Sequence, residues 1–383
     1  MRIAYVCSDP GVPVFGRKGC SVHVQEVTRS FLKREAGVTL FARRLDGAPP
    51  AGLEELRSVA LQPVSGTSMA EREQALASAD SALPRILDDH APFDLVYERF
   101  SLWSHSAMGW AQARRIPGVL EVNAPLVDEQ ERHRALFDRA RAETMVQQAL
   151  GSARHIVAVS TGVADWVCDQ GIARSKIQVI ANGVDVARFV PVPQGASQRP
   201  IIGFVGTLKP WHGLDHLVRA AATLRTRGRD FRLLIVGDGP ERAALDAQIE
   251  SAGLASVTTL TGAVDPADVP GLIAQMDIAV APYPDLADFY FSPLKVMEYM
   301  SAGRAVLASA IGDIIGLVDH DVTGRLYPAG NVGELAAQLD LLLADGELRA
   351  RLGKAAREQA VAKMSWDSVA ERILSFAGHL EAC

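Results

Sequence analysis

Residues 190–217 read VPVPQGASQRPIIGFVGTLKPWHGLDHL, and their order decides the fold. The opening stretch (190–200) is rich in Pro, Gly and Ser, which is the composition of a linker. PIIGFVG (200–206) follows as a short apolar run closed by glycine, the signature of a buried strand. A polar loop then leads into a helix, so a new strand-loop-helix series begins here. Working outward, the first half offers strands at RIAYVCS (2–8), VTLFARR (38–44), DLVYERF (94–100), VLEVNAP (119–125), HIVAVS (155–160) and IQVIANG (177–183). The second half offers PIIGFVG, FRLLIVG (231–237), SVTTLTG (256–262), DIAVAPY (277–283), AVLAS (305–309) and TGRLYP (323–328). Continuous apolar runs separated by helices indicate parallel sheets covered on both faces. The expected architecture is α/β, with two Rossmann-like doubly wound domains, 1–190 and 199–364, facing across a cleft, and ligands at the carboxyl ends of the strands. Residues 51–92 read as helical and carry no assigned chemistry.

A chain of 383 residues is too long for one ordinary core, which agrees with two domains. Hydrophobic residues make up 48% and charged residues 22%, as in soluble globular proteins. The net charge of -6 falls in residues 196–383, because residues 1–195 hold 22 basic and 22 acidic side chains. A concentrated basic field, the footprint of nucleic-acid binding, is missing. Cys7, Cys20, Cys168 and Cys383 are too far apart for a zinc motif or disulfide framework; a reducing cytoplasm is expected. The N-terminal apolar run reads as a strand, not a leader, and no run approaches the ~20 residues of a membrane span. Arginines at 114–115 and within 132–141 could attract an anionic lipid, as at the inner membrane face, or a glycan, although interspersed acids favour a plain solvated helix.

Four junctions carry chemistry. In GVPVFGRKGCSVHVQE (11–26), Gly16 and Gly19 allow close backbone approach, and the helix expected near Ser21 would favour an anion. His23, one or two residues into that helix, is as readily structural. In GFVGTLKPWHGLDHL (203–217), Thr207, Lys209 and His212 crowd a strand's carboxyl end, where cations would neutralise phosphate. IVGDGPERAAL (235–245) lacks the spacing of a dinucleotide fingerprint. In DFYFSPLKVMEYMSAG (288–303), Ser292 suits an N-cap and Pro293 the first helical position, while Lys295 and Glu298 form either a solvated ion pair or the edge of a ligand site.

Together KGCSVHVQE, VIANGVD, FVGTLKPWHGL, LIVGDGPERAAL, LTGAVDPADVPGLIAQMDIAVAPY, SPLKVMEYMSAGRAVLAS and GLVDHDVTGRLYPAGN resemble the family 4 retaining glycosyltransferases of GT-B fold, over nearly the whole chain. MSWDSVAERILSFA (364–377) is similar to the family's last helix, implying that 365–383 packs back on the N-terminal domain. The resemblance implies transfer of a sugar from a nucleotide-diphosphate-sugar to a hydroxyl acceptor in glycan, glycolipid or glycoside synthesis. It implies no bound metal and no cofactor beyond the donor. It places the donor on the C-terminal domain and the acceptor on the N-terminal one. Glu298 matches the second glutamate of the family's E-x7-E signature, which accepts from the donor ribose. The amides of Leu294 and Lys295, after Ser292 and Pro293, match the diphosphate cradle, with the Gly16–Gly19 loop closing over it. Ala263 and Val264 match the slot that reads the base.

Three departures stand out. Thr207 and His212 occupy positions where the family usually has Arg and Lys, leaving Lys209 and His212 as cationic candidates. Tyr290 replaces the first glutamate, with Asp288 two residues early. Asn123 stands where the family often has a His beside the reacting sugar. The Lys295 side chain reads as a solvated neighbour of Glu298. These departures keep two alternatives open: a sugar-nucleotide sensor without transfer, or a sugar-nucleotide epimerase on the same fold.

Overall fold

The computed structural model describes residues 1–133, 135–192 and 199–378. The middle of the linker (193–198), Arg134 and the tail beyond 378 lie outside the described residues. The chain forms two compact units. Unit 1 holds Met1–Asn182, Tyr290–Ser292 and the segment from Trp366 onward; unit 2 holds Gly183–Phe289 and Pro293–Ser365. The division falls before 190 because Val184 pairs with Ser365 and, with Phe189, is buried in the core of unit 2.

Unit 1 is built on a seven-stranded sheet, β1 (Arg2–Cys7), β2 (Gly37–Ala42), β3 (Arg57–Ala60), β4 (Leu95–Arg99), β5 (Gly118–Val122), β6 (His155–Ala158) and β7 (Ile177–Val179). Its order is β3-β2-β1-β4-β5-β6-β7, and the pairings are parallel. β3 was missed in the sequence, because RSVA is a polar, half-exposed edge strand without the apolar run that marks the others. One face of the sheet packs Val24, Val27 and Phe31 of the Gly19–Lys33 helix together with Trp366, Val369, Ala370, Ile373 and Leu374 of the Trp366–Phe376 helix. The latter five recur at helical spacing, so one stripe of that helix completes this core. The other face is covered by a separate cluster around Met108, Trp110, Val146 and Leu150.

Unit 2 is built on a six-stranded sheet, β8 (Ile201–Val205), β9 (Arg232–Val236), β10 (Thr258–Leu260), β11 (Ile278–Ala281), β12 (Ala305–Ala310) and β13 (Arg325–Pro328). It is also parallel, in the order β10-β9-β8-β11-β12-β13. Two cores cover its faces, one around Phe204, Leu217 and Phe231, the other around Met276, Met297 and Tyr299. In each sheet the strand order reverses at one place, β1/β4 in unit 1 and β8/β11 in unit 2. Crevices at such reversals take ligands. No helix among the described residues is long and apolar enough to cross a membrane.

Candidate functional site

In unit 2 the reversal point gathers the loop after β8 and the loop after β11. They come together closely: Gly213 has φ +64°, and a Cβ there would lie 1.9 Å from the Pro282 carbonyl oxygen. Gly213→Ala is expected to destabilise unit 2 by at least the ~1–3 kcal/mol of left-handed backbone strain, read as a lower denaturant midpoint; an unchanged midpoint would refute this close approach.

The helix that follows β11 runs Leu294–Ser301. Pro293 is its N-cap residue, with ψ 52°, and no side chain caps it. The expectation that Ser292 caps this helix with Pro293 as its first residue is therefore corrected: the helix begins one residue later, and Ser292 Oγ is sealed from solvent and without a hydrogen-bond partner. The helix is fixed beneath β8 by Tyr299, whose hydroxyl accepts from the Val205 amide at 2.8 Å.

Lys295 departs from its reading as a solvated neighbour. Its stem keeps some exposure, but Nζ is sealed and makes no hydrogen bond. Nζ lies 4.2 Å from the centroid of the Phe204 ring and 5.1 Å from that of Tyr283. Burial lowers its pKa to about 7, against the opposing pull of Glu298. Glu298 is raised to about 7 by burial, with Arg188 and Lys295 acting the other way. Sequence reasoning missed Phe204, Tyr283 and Arg188, because a ring or a charge far along the chain leaves no mark in the local pattern.

Thr207 and His212 sit beside them. His212 Nδ1 donates to the Thr207 carbonyl oxygen at 2.5 Å, and its ring packs 5.8 Å from both Phe204 and Tyr283. Burial first, then the charge of Lys295, pulls its pKa to about 4. His212 is thus neutral at pH 7, which corrects its reading as a cationic candidate. Lys209 lies over the Trp211 ring at 5.3 Å. Gly237, after β9, donates its amide to Gly262 after β10 at 3.1 Å, and this places half-buried Val264 and exposed Ala263 at the same edge. Asp288 is exposed.

In unit 1, the loop holding Gly16 is tied to the next helix by Gln25 Nε2, which donates to Val14 O at 2.6 Å and to Gly16 O at 2.9 Å. That helix starts at Gly19, two residues before Ser21. His23 is consequently a full turn inside it and 5% exposed, with Nε2 2.7 Å from Glu121 Oε1 and its ring 5.1 Å from Trp366. It is a core residue, which corrects its candidacy as a site residue. Asn123, one residue past β5, keeps a sealed Nδ2 with no partner. Tyr290 is fixed by its hydroxyl, which donates to Glu129 Oε1 at 2.8 Å, and by its carbonyl oxygen, which accepts from Ser160 Oγ at 2.6 Å. A buried cluster at the carboxyl end of β4 went unread. Ser104 Oγ lies 2.6 Å from Glu98 Oε1 and 2.9 Å from Asp80 Oδ1, and burial raises Glu98 to about 8. Two of the surface arginines are paired, Arg139 with Asp128, Glu131 and Glu143, and Arg114 with Asp88.

Two parallel-sheet α/β domains of this kind make up the GT-B fold. The structure of sucrose-phosphate synthase from Thermosynechococcus elongatus shares the fold, with a TM-score of 0.72 at 22% identity, covering 98% of this chain and 97% of the other. Anabaena HepE in complex with UDP is similar at a TM-score of 0.72 and 20% identity, over 99% and 100% of the two chains. Residues 17–188 match the model described as Glycosyltransferase Family 4, and residues 189–359 match Glycosyl transferases group 1. The chain belongs to the family 4 glycosyltransferases. D-inositol 3-phosphate glycosyltransferase of Salinispora arenicola is 26% identical over 95% of this chain and 88% of its own. It is a transferase, and the sensor and epimerase readings give way to that.

Proposed function

We propose that the chain is a retaining enzyme that moves a sugar from a nucleotide-diphosphate-sugar to a hydroxyl acceptor without a bound metal or cofactor. One observation carries the donor side: the Leu294–Ser301 helix brings Glu298 and the first-turn amides to the β8/β11 reversal of unit 2. Free amides at a helix start favour an anion, here the diphosphate through Leu294 and Lys295, and Glu298 would accept from the ribose. Ala263 and Val264 would face the base. HepE binds UDP and UDP-glucose, which makes uridine the first base to test. The acceptor would lie on unit 1, where Asn123 and the Glu98 cluster stand at the carboxyl ends of β5 and β4. The relatives' names, D-inositol 3-phosphate and 2-deoxystreptamine, make a cyclitol the first acceptor to assay. In the reaction the anomeric carbon–phosphate oxygen bond breaks as the acceptor oxygen bonds to the same face, and the acceptor's proton passes to the leaving phosphate. The free thiols Cys7, Cys20 and Cys168 fit a reducing cytoplasm.

The test is thermal unfolding with UDP-glucose, GDP-mannose, ADP-glucose and dTDP-glucose. A ligand at 100 times its Kd adds about 2.7 kcal/mol, worth roughly 5–10 °C in a unit of this size. A shift with one base and not the others is expected. No shift with any of the four would refute the donor-site reading.

A further inference from the structure

We propose that the Lys295 side chain is the cation that receives the leaving diphosphate, taking over from the two basic residues that Thr207 and His212 replace. The proposal rests on the donor-site reading and adds a residue to it. A buried ammonium is costly unless paired, yet Lys295 Nζ has no hydrogen-bond partner. Among the described residues no carboxylate lies within ion-pair distance of it, Glu298 included. The rings of Phe204 and Tyr283 hold it by cation–π attraction, which steadies a cation without satisfying its three N–H donors. An ammonium kept in this way lacks an anion.

Its place in the fold says which anion. Gly206 is the residue that leaves β8, with φ +149°, and a Cβ there would lie 3.1 Å from Lys295 Nζ. Glycine therefore leaves open the space between the ammonium and the carboxyl edge of the sheet. Thr207 is uncharged, and His212, its Nδ1 proton given to the Thr207 carbonyl, is neutral. The groups facing Lys295 are thus Glu298 on its own helix, Phe204 of β8, His212 of the loop after it and Tyr283 after β11, with Arg188 beyond Glu298. Among the described residues, the charges of Lys295 and Lys209 are the ones that act on His212 in this loop. The flexible stem swings Nζ from the rings to a non-bridging phosphate oxygen. When the anomeric C–O bond breaks, its electron pair stays on the phosphate, and Lys295 donates a hydrogen bond to it while keeping its proton.

The experiment compares Lys295→Met and Lys295→Arg with the unsubstituted chain. Each is titrated at pH 7 with UDP, GDP, ADP and dTDP, and with the matching nucleosides. For the base that binds, Lys295→Met is expected to lose roughly 10- to 150-fold in diphosphate affinity, the scale of one charge-assisted hydrogen bond, while nucleoside affinity stays within about two-fold. Lys295→Arg should recover part of the loss. A preserved diphosphate-to-nucleoside ratio in Lys295→Met overturns the proposal. So does a parallel loss of both, since a distorted fold moves them together. If the unsubstituted chain binds none of the four diphosphates, the donor-site reading itself fails, and this proposal falls with it.

Discussion

Glu298→Gln is expected to weaken nucleotide-sugar binding by roughly 10- to 150-fold, because a carboxylate that accepts from ribose hydroxyls contributes about 1.5–3 kcal/mol per charge-assisted bond. The amide keeps the shape and loses the charge that Arg188 and Lys295 face, so the unfolding midpoint of the ligand-free variant is the control for its fold. Binding should also depend on pH in the unsubstituted chain. Burial holds Glu298 at about 7 before ligand arrives, and acceptance of hydroxyl protons needs the ionised form. The ligand therefore expels a proton, and affinity falls as pH drops below about 7, by at most about tenfold per unit. A nucleotide-sugar is the right probe, since its diester phosphates do not titrate in this range. Glu298→Gln should flatten this acid limb. Calorimetric titration between pH 5.5 and 8 that shows equal affinity for the variant and the original chain would remove Glu298 from the site.

Glu121→Gln is expected to be the most destabilising of the substitutions considered. Glu121 is 2% exposed, with Oε1 2.7 Å from His23 Nε2 and Oε2 3.9 Å from Arg99 Nη1. Burial pushes its pKa up, but His23 and Arg99 outweigh that and hold it below the usual carboxylate value. Removing the charge leaves the Arg99 guanidinium buried without a counter-charge, a loss of about 3–5 kcal/mol. For a unit of this size that is roughly 6–20 °C in Tm. The sign with pH follows from the lowered value. The stabilisation is present above the unfolded carboxylate pKa, about 4.3, and is lost as pH falls through the lower folded value. Scanning calorimetry at pH 7 and pH 3 should show the variant and the original chain converging in acid. A constant gap would mean that shape, not charge, matters at Glu121.

The two predictions differ in how far the sequence foresaw them. Apolar runs such as RIAYVCS and FRLLIVG spell buried parallel strands, because burial on both faces removes any need for polar residues. β3 escaped notice because RSVA lies at an edge and buries little. Glu298 was singled out through its match to a family signature at a helix start, and its binding role rests on the titration above. The state of Lys295 was not: a lysine three residues before a glutamate looks the same whether solvated or sealed. What seals it is Phe204 and Tyr283, which only the folded chain brings to its side. His23 shows the reverse case. A polar residue beside a candidate ligand loop turns inward, where Glu121 and the Trp366 ring from the far end of the chain meet it.

The helix that carries Trp366 has a consequence for anyone building chimaeras. In the order of the backbone, Gly183–Ser365 is for the most part an insertion between two pieces of unit 1. A cut at 182/183 alone would strip Val24, Val27 and Phe31 of the cover given by Trp366, Val369, Ala370, Ile373 and Leu374. Grafts of unit 2 therefore need two junctions, the second at 365/366. A free-standing unit 1 would be better made by rejoining residue 182 to residue 366 through a short engineered spacer than by truncation.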